Sequence, residues 1–142
     1  RDVSTYLRRG GGGSNGDDKP KKSSKRDAPP RATAQWKVPG DIGRRYADVS
    51  GDRNPIHLHP VSAKLFGMPG AVAHGMWVKA RCLAALEGLL PDSHTSEVRF
   101  KAPMVLPAKV AFADWADGDA RAFAVHDARK GRPHLTGRVT GS

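Results

Sequence analysis

Cysteine is nearly absent from this sequence: Cys82 is the single one in 142 residues. One cysteine excludes an internal disulfide, and with it the class of small secreted domains that disulfides hold together. It fits a reducing compartment, so we expect a cytoplasmic protein. Long hydrophobic runs are missing too. The longest, residues 76–90, is shorter than the ~20 residues of a membrane helix and contains charges, which predicts no membrane span.

Apolar and acidic residues are both scarce. Hydrophobic residues make up 38% of the chain and aromatic residues 6%, and Lys and Arg outnumber Asp and Glu by 24 to 14. Half of the net charge of +10 lies in residues 1–31, which carry nine basic and four acidic residues. The rest of the chain shows no interleaving of basic and aromatic residues, so we expect no nucleic-acid partner.

The scarcity of apolar residues is greatest near the N-terminus and predicts the domain organisation. Residues 1–9 alternate apolar and polar side chains, as the last strand of an upstream domain would. Residues 10–33 are rich in Gly and Ser, then in charge, then in Pro. Such a segment cannot bury enough apolar surface to offset chain entropy, which predicts a flexible linker. Residues 34–142 are then one folded domain.

Hydrophobic periodicity predicts the elements of that domain. A strand is expected at residues 35–38, then helices at 42–49, with Asp41 as candidate N-cap, and at 60–66. Residues 74–90 are apolar on nearly every face, which predicts a long buried helix. Four strands follow, at residues 96–101, 108–115, 120–127 and 135–140. Short connections favour antiparallel pairing, so the fold class is α+β, with a curved antiparallel sheet wrapped around one long central helix.

The stretch SGDRNPIHLHP, residues 50–60, concentrates turn-forming and titratable groups between two helical segments. Taken alone, Asp52 would belong to an Asx turn and His57 would be a partly buried structural histidine. His57 and His59 have metal-ligand chemistry, but the sequence offers no convincing third ligand, so no metal is expected. His59 is interpreted as a surface residue of the loop.

A longer pattern favours a catalytic reading. SGDRNPIHLHP, followed by FGMPGAVAHGM at residues 66–76, resembles the hydratase signature of MaoC-like acyl dehydratases, the R-specific enoyl-CoA hydratases. The matching positions are Tyr46, Ser50, Gly51, Asp52, Asn54, Pro55, His57, Pro60, Gly67, His74 and Gly75. Proteins of this family have the hot-dog fold, which agrees with the predicted order of elements. Many are double hot-dogs, and residues 1–9 resemble the end of a degenerate first half, which would make this chain the catalytic second half.

The resemblance implies a hydro-lyase of fatty-acyl metabolism, an R-specific enoyl-CoA hydratase or 3-hydroxyacyl-thioester dehydratase without a cofactor. Hydration needs an activated water for attack at C3, a proton for C2 and support for the thioester oxygen. Asp52 and His57 are expected to act on one shared water, and which of them takes its proton stays open. The backbone N–H of Gly75, at a helix N-terminus, is expected to hold the oxygen.

Four residues are expected to support this loop. Gly51 allows a positive φ, and Pro55 biases the residue before it, Asn54, away from helical geometry. The side chains of Ser50 and Asn54 can hydrogen-bond the loop backbone or the Asp52 carboxylate.

Four further residues are candidates for lining the substrate site: Tyr46, His74, Met76 and Trp77. Two positions depart from the family pattern: His59 stands where Asp or Asn is usual, and Trp77 stands where smaller residues are usual. Trp77 could therefore narrow the acyl tunnel.

The expected partners are a thioester substrate, carried by coenzyme A or an acyl carrier protein, and a second hot-dog. A single hot-dog leaves an open sheet edge and an incomplete tunnel, so pairing with an identical chain or with a first half is expected. The alternative function is a non-catalytic, thioester-binding or scaffolding half of a larger dehydratase. The intact Asp52 and His57 pair argues against that alternative.

Overall fold

The computed structural model describes residues 31–141. Its elements are β1 (Ala34–Val38), α1 (Ile42–Ser50), α2 (Pro55–Leu58), α3 (Pro60–Leu65), α4 (Gly75–Ala85), β2 (His94–Phe100), β3 (Ala108–Asp117), β4 (Ala120–Asp127) and β5 (Pro133–Gly141). The predicted strand at 1–9 and residues 10–30 of the predicted linker lie outside the described residues. Thr33, at the end of that linker, already donates its N–H to the carbonyl of Phe112 in β3.

The five strands form one antiparallel sheet in the order β1-β3-β4-β5-β2. Each of the five strands predicted for the folded domain is present, with ends within two residues of those observed, which confirms the α+β class. Gly118 and Gly131 adopt positive φ in the tight turns that join β3 to β4 and β4 to β5. β2 pairs with β5 at the edge opposite β1, so the chain crosses the sheet between β2 and β3.

The core lies between α4 and one face of the sheet. Val78, Cys82 and Leu86 from the helix segment join the same buried cluster as Phe123 and Leu135 from the strands. Burial of each large apolar side chain contributes roughly 1.5–3 kcal/mol, so this cluster holds α4 on the sheet. Burial raises the pKa of Cys82 to about 12, as expected for an inert core thiol.

The central helix is shorter and less buried than predicted. Instead of residues 74–90, α4 spans Gly75–Ala85, and turns with a left-handed Gly88 follow it. Met76, Ala80 and Ala84 are exposed on the side away from the sheet. The prediction of a helix buried all round was wrong for the chain alone, because a single sheet covers one side of a helix. No described helix is long and apolar enough to cross a membrane.

Two local predictions before the helix also need correction. Asp41 occupies the N-cap position of α1, as predicted, but its side chain makes no capping bond, and its carbonyl accepts from Arg45 N–H. Within residues 50–60, to which the sequence analysis assigned no element, Pro55–Leu58 form the single-turn helix α2. Pro55 supplies the fixed φ that suits the first position of a helix.

Candidate functional site

The bend that carries Asp52 is fixed by hydrogen bonds between near neighbours. Gly51 ends α1 with φ 76°, and its N–H bonds the carbonyl of Ala47. The Ser50 hydroxyl accepts from Asp52 N–H at 3.2 Å, and Asp52 Oδ1 accepts from Asn54 N–H at 3.2 Å. These bonds leave Oδ2 of Asp52 free to face the histidines. Ser50, Gly51 and Asn54 therefore lie where the sequence analysis expected loop support.

His57 is positioned by a short helix rather than by a flexible loop. Asn54 caps α2 by accepting from Ile56 N–H, with Pro55 at the first helical position. On the other side, α1 packs against the backbone of α2 through Gly43. A Cβ built on Gly43 would lie 1.8 Å from the carbonyl oxygen of His57, so only glycine permits this approach.

The hydrogen bonds of His57 define its tautomer. Nδ1 lies 2.7 Å from the carbonyl oxygen of Val72, and a carbonyl only accepts, so Nδ1 carries the proton. Nε2 then holds a lone pair, 4.0 Å from Oδ2 of Asp52. Desolvation by burial holds the pKa of His57 below its ordinary value of 6.5, and the nearby His74 lowers it further. The ring is therefore neutral at neutral pH and can accept a proton.

His74 belongs to this site more closely than the sequence predicted. Its ring stacks on His57 with centroids 3.8 Å apart, and Tyr46 contacts it edge-on at 4.9 Å. Its Nε2–H donates to the carbonyl oxygen of Asp52 at 2.9 Å, and the same nitrogen lies 3.8 Å from Asp52 Oδ2. His74 thus links the Asp52 backbone to the start of α4. Its buried Nδ1 has no partner among the described residues.

Gly75 opens α4 immediately after His74, at the positive end of the helix. Its N–H meets no acceptor among residues 31–141. A Cβ on Gly75 would lie 2.7 Å from the ring of Phe100, so the glycine also makes room for that side chain. A glycine at this position therefore has a packing role in addition to the predicted role of its N–H.

A cleft of about 290 Å³ brings these groups together. Its walls are formed by Tyr46, Ser50, Asp52, His57, His74, Gly75, Met76 and Phe100. Asp52 is half-exposed toward this cleft, with 55% of its side chain accessible, whereas His57 is largely covered. The arrangement offers one carboxylate oxygen, one imidazole lone pair and one helix N–H to a bound molecule.

Trp77, which was predicted to line the substrate, and His59, which was interpreted as a surface residue, both lie outside the cleft. Trp77 packs against the core cluster and is absent from the cleft wall, so the structure gives no support for a role in narrowing a tunnel there. His59 is exposed between α2 and α3. Phe100, which the sequence analysis did not propose, lines the cleft from the end of β2. No local pattern could identify it, because its position depends on pairing between distant strands.

The site also contains three groups with metal-ligand chemistry. Among residues 31–141, Asp52, His57 and His74 can bring ligand atoms within 4.8 Å of one another, and His59, which the sequence analysis considered together with His57, is not part of this group. The Nε2–H of His74 is already used by the Asp52 carbonyl. The two rings are stacked only 23° from parallel, so their lone pairs do not converge on one ion. These donors suit acid–base chemistry better than metal binding.

Comparison with known proteins gives a consistent result. The family model described as MaoC like domain matches residues 21–137. The chain is 41% identical over 140 residues to 3-hydroxyacyl-thioester dehydratase X of Mycobacterium tuberculosis, covering 98% of this chain and 49% of that protein. A crystal structure of that protein, HtdX, has a TM-score of 0.75 at 40% identity, covering 80% of this chain and 48% of the other.

A more distant structure supports the fold alone. R-hydratase PhaJ1 from Pseudomonas aeruginosa has a TM-score of 0.58 at 24% identity, over 77% of this chain and 79% of that chain. The chain therefore spans about half the length of 3-hydroxyacyl-thioester dehydratase X and most of the length of the R-hydratase PhaJ1 chain.

Proposed function

We infer that this chain, which belongs to the MaoC-like domain family, is a hydro-lyase that interconverts trans-2-enoyl thioesters and (3R)-hydroxyacyl thioesters. The observation that carries the proposal is the 4.0 Å separation between His57 Nε2 and Asp52 Oδ2 in an open cleft. That distance is too long for a direct hydrogen bond and suits one bridging water. Such a water would donate one O–H to the carboxylate and the other to the imidazole.

In this proposal, His57 is the base. Its lone pair is directed by the bond from Nδ1 to Val72, and its lowered pKa keeps it neutral. The water oxygen forms the C3–O bond while one of its protons passes to Nε2, and that proton is then delivered to C2. The other proton remains on the new hydroxyl. Asp52 orients the water and stabilises the imidazolium that forms; dehydration uses the same groups in reverse.

The thioester oxygen gains negative charge as C3 is attacked, and we assign the Gly75 N–H to it. This N–H lies at the positive end of α4 and on the wall of the same cleft as Asp52. A preorganised donor of this kind contributes roughly 3–4 kcal/mol at the transition state. Tyr46, Met76 and Phe100 would contact the acyl portion of the substrate.

The proposal includes a second hot-dog as partner. The side of α4 away from the sheet exposes Met76, Ala80 and Ala84, and Leu89 just beyond it is 59% accessible. Exposed apolar side chains on a central helix are suited to burial against another hot-dog, either an identical chain or an upstream half. The substrate would be an acyl thioester of coenzyme A or of an acyl carrier protein. A single cysteine cannot form an internal disulfide, so this chain does not depend on an oxidising compartment for one. The proposal therefore includes a cytoplasmic location.

The test is hydration of crotonyl-CoA, followed by the loss of enoyl absorbance, with wild type, Asp52→Asn and His57→Ala. We expect turnover by the wild type and a loss of about 10²–10⁴-fold in each variant, with the fold checked by circular dichroism. Wild-type rates in a folded variant would remove the proposed roles. A wild type that binds the thioester without turning it over would favour the non-catalytic, scaffolding alternative.

A further inference from the structure

A second cavity, of about 460 Å³, lies where β3 begins, β4 ends and β5 begins, and it is strongly basic. Four cations, Lys109, Arg129, Lys130 and Arg132, line it against a single carboxylate, Asp127. We call these five residues and the space between them the basic basin. Clefts lined by one sign of charge concentrate ligands of the opposite sign, so the basin is suited to an anion.

The carboxylate of the basin is used by the protein itself. Asp127 Oδ1 accepts from the backbone N–H groups of Arg129 and Lys130 at 2.9 and 2.6 Å, and these bonds hold the pKa of Asp127 below its ordinary value. The backbone of Asp127 also bonds Arg132 and Gly131 across the turn. Asp127 thus shapes the turn that carries Arg129, Lys130 and Arg132, and its carboxylate is bonded to backbone amides of that turn.

The basin cations also differ from other cations of the chain. Arg53, Arg121 and Arg138 each form an ion pair with an aspartate. Within residues 31–141, neither Arg129 nor Arg132 forms an ion pair. Lys109 lies directly across from Lys37 in the register of β3 and β1, a pairing of like charges that costs stability. The excess of positive charge at this end of the sheet is therefore left uncompensated by the fold.

An intermediate cavity of about 250 Å³ adjoins both the basin and the cleft of Asp52 and His57. That cavity shares Pro103 and His134 with the basin, and it shares Gly75 and Phe100 with the cleft of Asp52 and His57. The intermediate cavity presents more apolar than polar groups, among them Val78, Met104 and Leu135. A chain of three adjoining spaces therefore runs from the oxyanion position, past Phe100, to the four cations.

The wall between the intermediate cavity and the basin is held by hydrogen bonds. The Nδ1–H of His134 donates to the carbonyl of Ala102, and the carbonyl of His134 accepts from Lys101 N–H. Ala102 N–H bonds the carbonyl of Pro133. The segment that leaves β2 is thus tied to the start of β5, immediately after the turn that carries the cations.

We propose that the basic basin binds the phosphate groups of the thioester's carrier, with the pantetheine arm lying in the intermediate cavity. This inference rests on the proposed function, because it assumes a thioester held at Gly75. The pantetheine arm is neutral near its thioester and carries phosphate at its far end. This order matches a mainly apolar intermediate cavity followed by the basic basin. Guanidinium groups bind phosphate through paired hydrogen bonds, which suits Arg129 and Arg132 to this task.

The experiment compares crotonyl-CoA with crotonyl-pantetheine, which has the same arm without phosphate, in wild type and in the double variant Arg129→Gln/Arg132→Gln. The backbone amides that bond Asp127 remain in this variant. We expect the ratio of kcat/KM for the CoA substrate to that for the pantetheine substrate to fall about fivefold to thirtyfold. The preference of the wild type for CoA should also weaken as salt is added, since salt screens exposed charges.

The matched control is Lys64→Gln/Arg138→Gln, which removes the same charge from exposed positions outside the three cavities. We expect its ratio to stay within about twofold of the wild type, as for most surface changes. An unchanged ratio in the basin variant, or an equal fall in the control, overturns the inference. A crotonyl thioester of a carrier protein is a third substrate for the same variants. If kcat/KM falls in the basin variant with both carriers, the basin binds the phosphate next to pantetheine. If it falls with CoA alone, the basin binds the nucleotide.

Failure of the proposed function would look different. If the wild type turns over neither substrate, hydration is excluded, and the basin is then judged by calorimetric titration with CoA and with pantetheine. Weaker CoA binding in the basin variant than in the control variant supports the basin. Equal binding of CoA by both variants overturns it. If turnover is normal and independent of phosphate, the proposed function stands and the basin inference falls.

Discussion

Two groups of similar composition, each with one aspartate and two histidines, lie at different places in this domain. They are Asp52, His57 and His74 in the cleft, and Asp127, His126 and His134 at the β4–β5 end. In each group one histidine donates Nδ1–H to a backbone carbonyl, from His57 to Val72 and from His134 to Ala102. In each group the other histidine has a buried Nδ1 without a partner among the described residues.

The two groups differ in what their carboxylates do. Asp52 uses Oδ1 for its own loop and leaves Oδ2 facing both histidines across 3.8 and 4.0 Å. Asp127 gives Oδ1 to two amides of the turn that follows it. Under the proposed mechanism, residue types alone therefore do not make an acid–base site. A lone pair and a carboxylate oxygen must both remain available, with space between them for a water.

The largest effect should appear when one histidine of each group is changed in turn. His57→Gln removes the lone pair at Nε2, and we expect kcat for crotonyl-CoA to fall about 10²–10⁴-fold. His126→Gln changes a buried histidine that lines no part of the cleft or of the basin, so we expect kcat within about threefold of the wild type and a loss of thermal stability. Similar losses of kcat in the two folded variants would break the distinction.

The second prediction tests how the cleft group is positioned. Gly43→Ala would place a Cβ 1.8 Å from the His57 carbonyl oxygen, so α1 and α2 must separate. Displacement of a catalytic group by about 1 Å can cost about 10²-fold, and we expect kcat to fall about ten- to a hundredfold with KM changed less. Gly40→Ala is the control, because its Cβ meets only Pro107 Cδ at 3.9 Å. Equal kcat in the two variants would show that Gly43 does not set the position of His57.

The third prediction concerns pH and both groups. Burial lowers the pKa of His57 and of His126 below 6.5. Just below pH 6.5 the unfolded chain therefore binds protons that the folded histidines do not, so the free energy of unfolding should fall as pH decreases. Urea unfolding at pH 7.5 and 5.5 measures this slope, and His126→Gln should reduce it while leaving the contribution of His57. A stability that is constant or rises toward pH 5.5 would contradict the burial of these neutral rings.

The smallest effect is expected at the support of the Asp52 loop. Ser50→Ala removes the hydroxyl that accepts from Asp52 N–H, a bond in an exposed place. We expect a loss of about 0.5–1.5 kcal/mol in the free energy of unfolding and a fall of a fewfold in kcat. Ser62→Ala, which removes hydroxyl bonds to the carbonyls of Pro55 and His59, is a matched control on the outer side of the same region. A larger fall in kcat for Ser62→Ala would place the main support of the site elsewhere.

Much of the fold was predictable because its signals are local. Alternating side chains and turn residues located the five strands of the described domain within two residues, and short connections indicated antiparallel pairing. The crossing of β2 to the far edge beside β5 was not predictable, since no local pattern records which strands pair at long range. The end of α4 at Ala85 was also missed, because Leu86, Leu89 and Leu90 continue the apolar pattern through turns.

The site was predictable where it follows from the motif and not where it depends on packing. Asp52 and His57 in residues 50–60, and Gly75 in residues 66–76, were identified through the family resemblance of these two stretches, and they remain the proposed catalytic and oxyanion groups. Gly43 and Phe100 carry no such signal, since each acts through contact with a distant segment. His74 could be identified as a motif residue, but its stacking on His57 required the structure.

The pH dependence of kcat/KM for hydration of crotonyl-CoA by the wild type tests the central claim most directly. Our account requires a neutral His57 with a lowered pKa beside an available Asp52, so kcat/KM should decrease on the acid side with an apparent pKa below 6.5. That limb should be lost from the residual activity of His57→Gln and retained in His126→Gln. An acid limb centred above 6.5, or one that persists in His57→Gln, would contradict the assignment of His57 as the base.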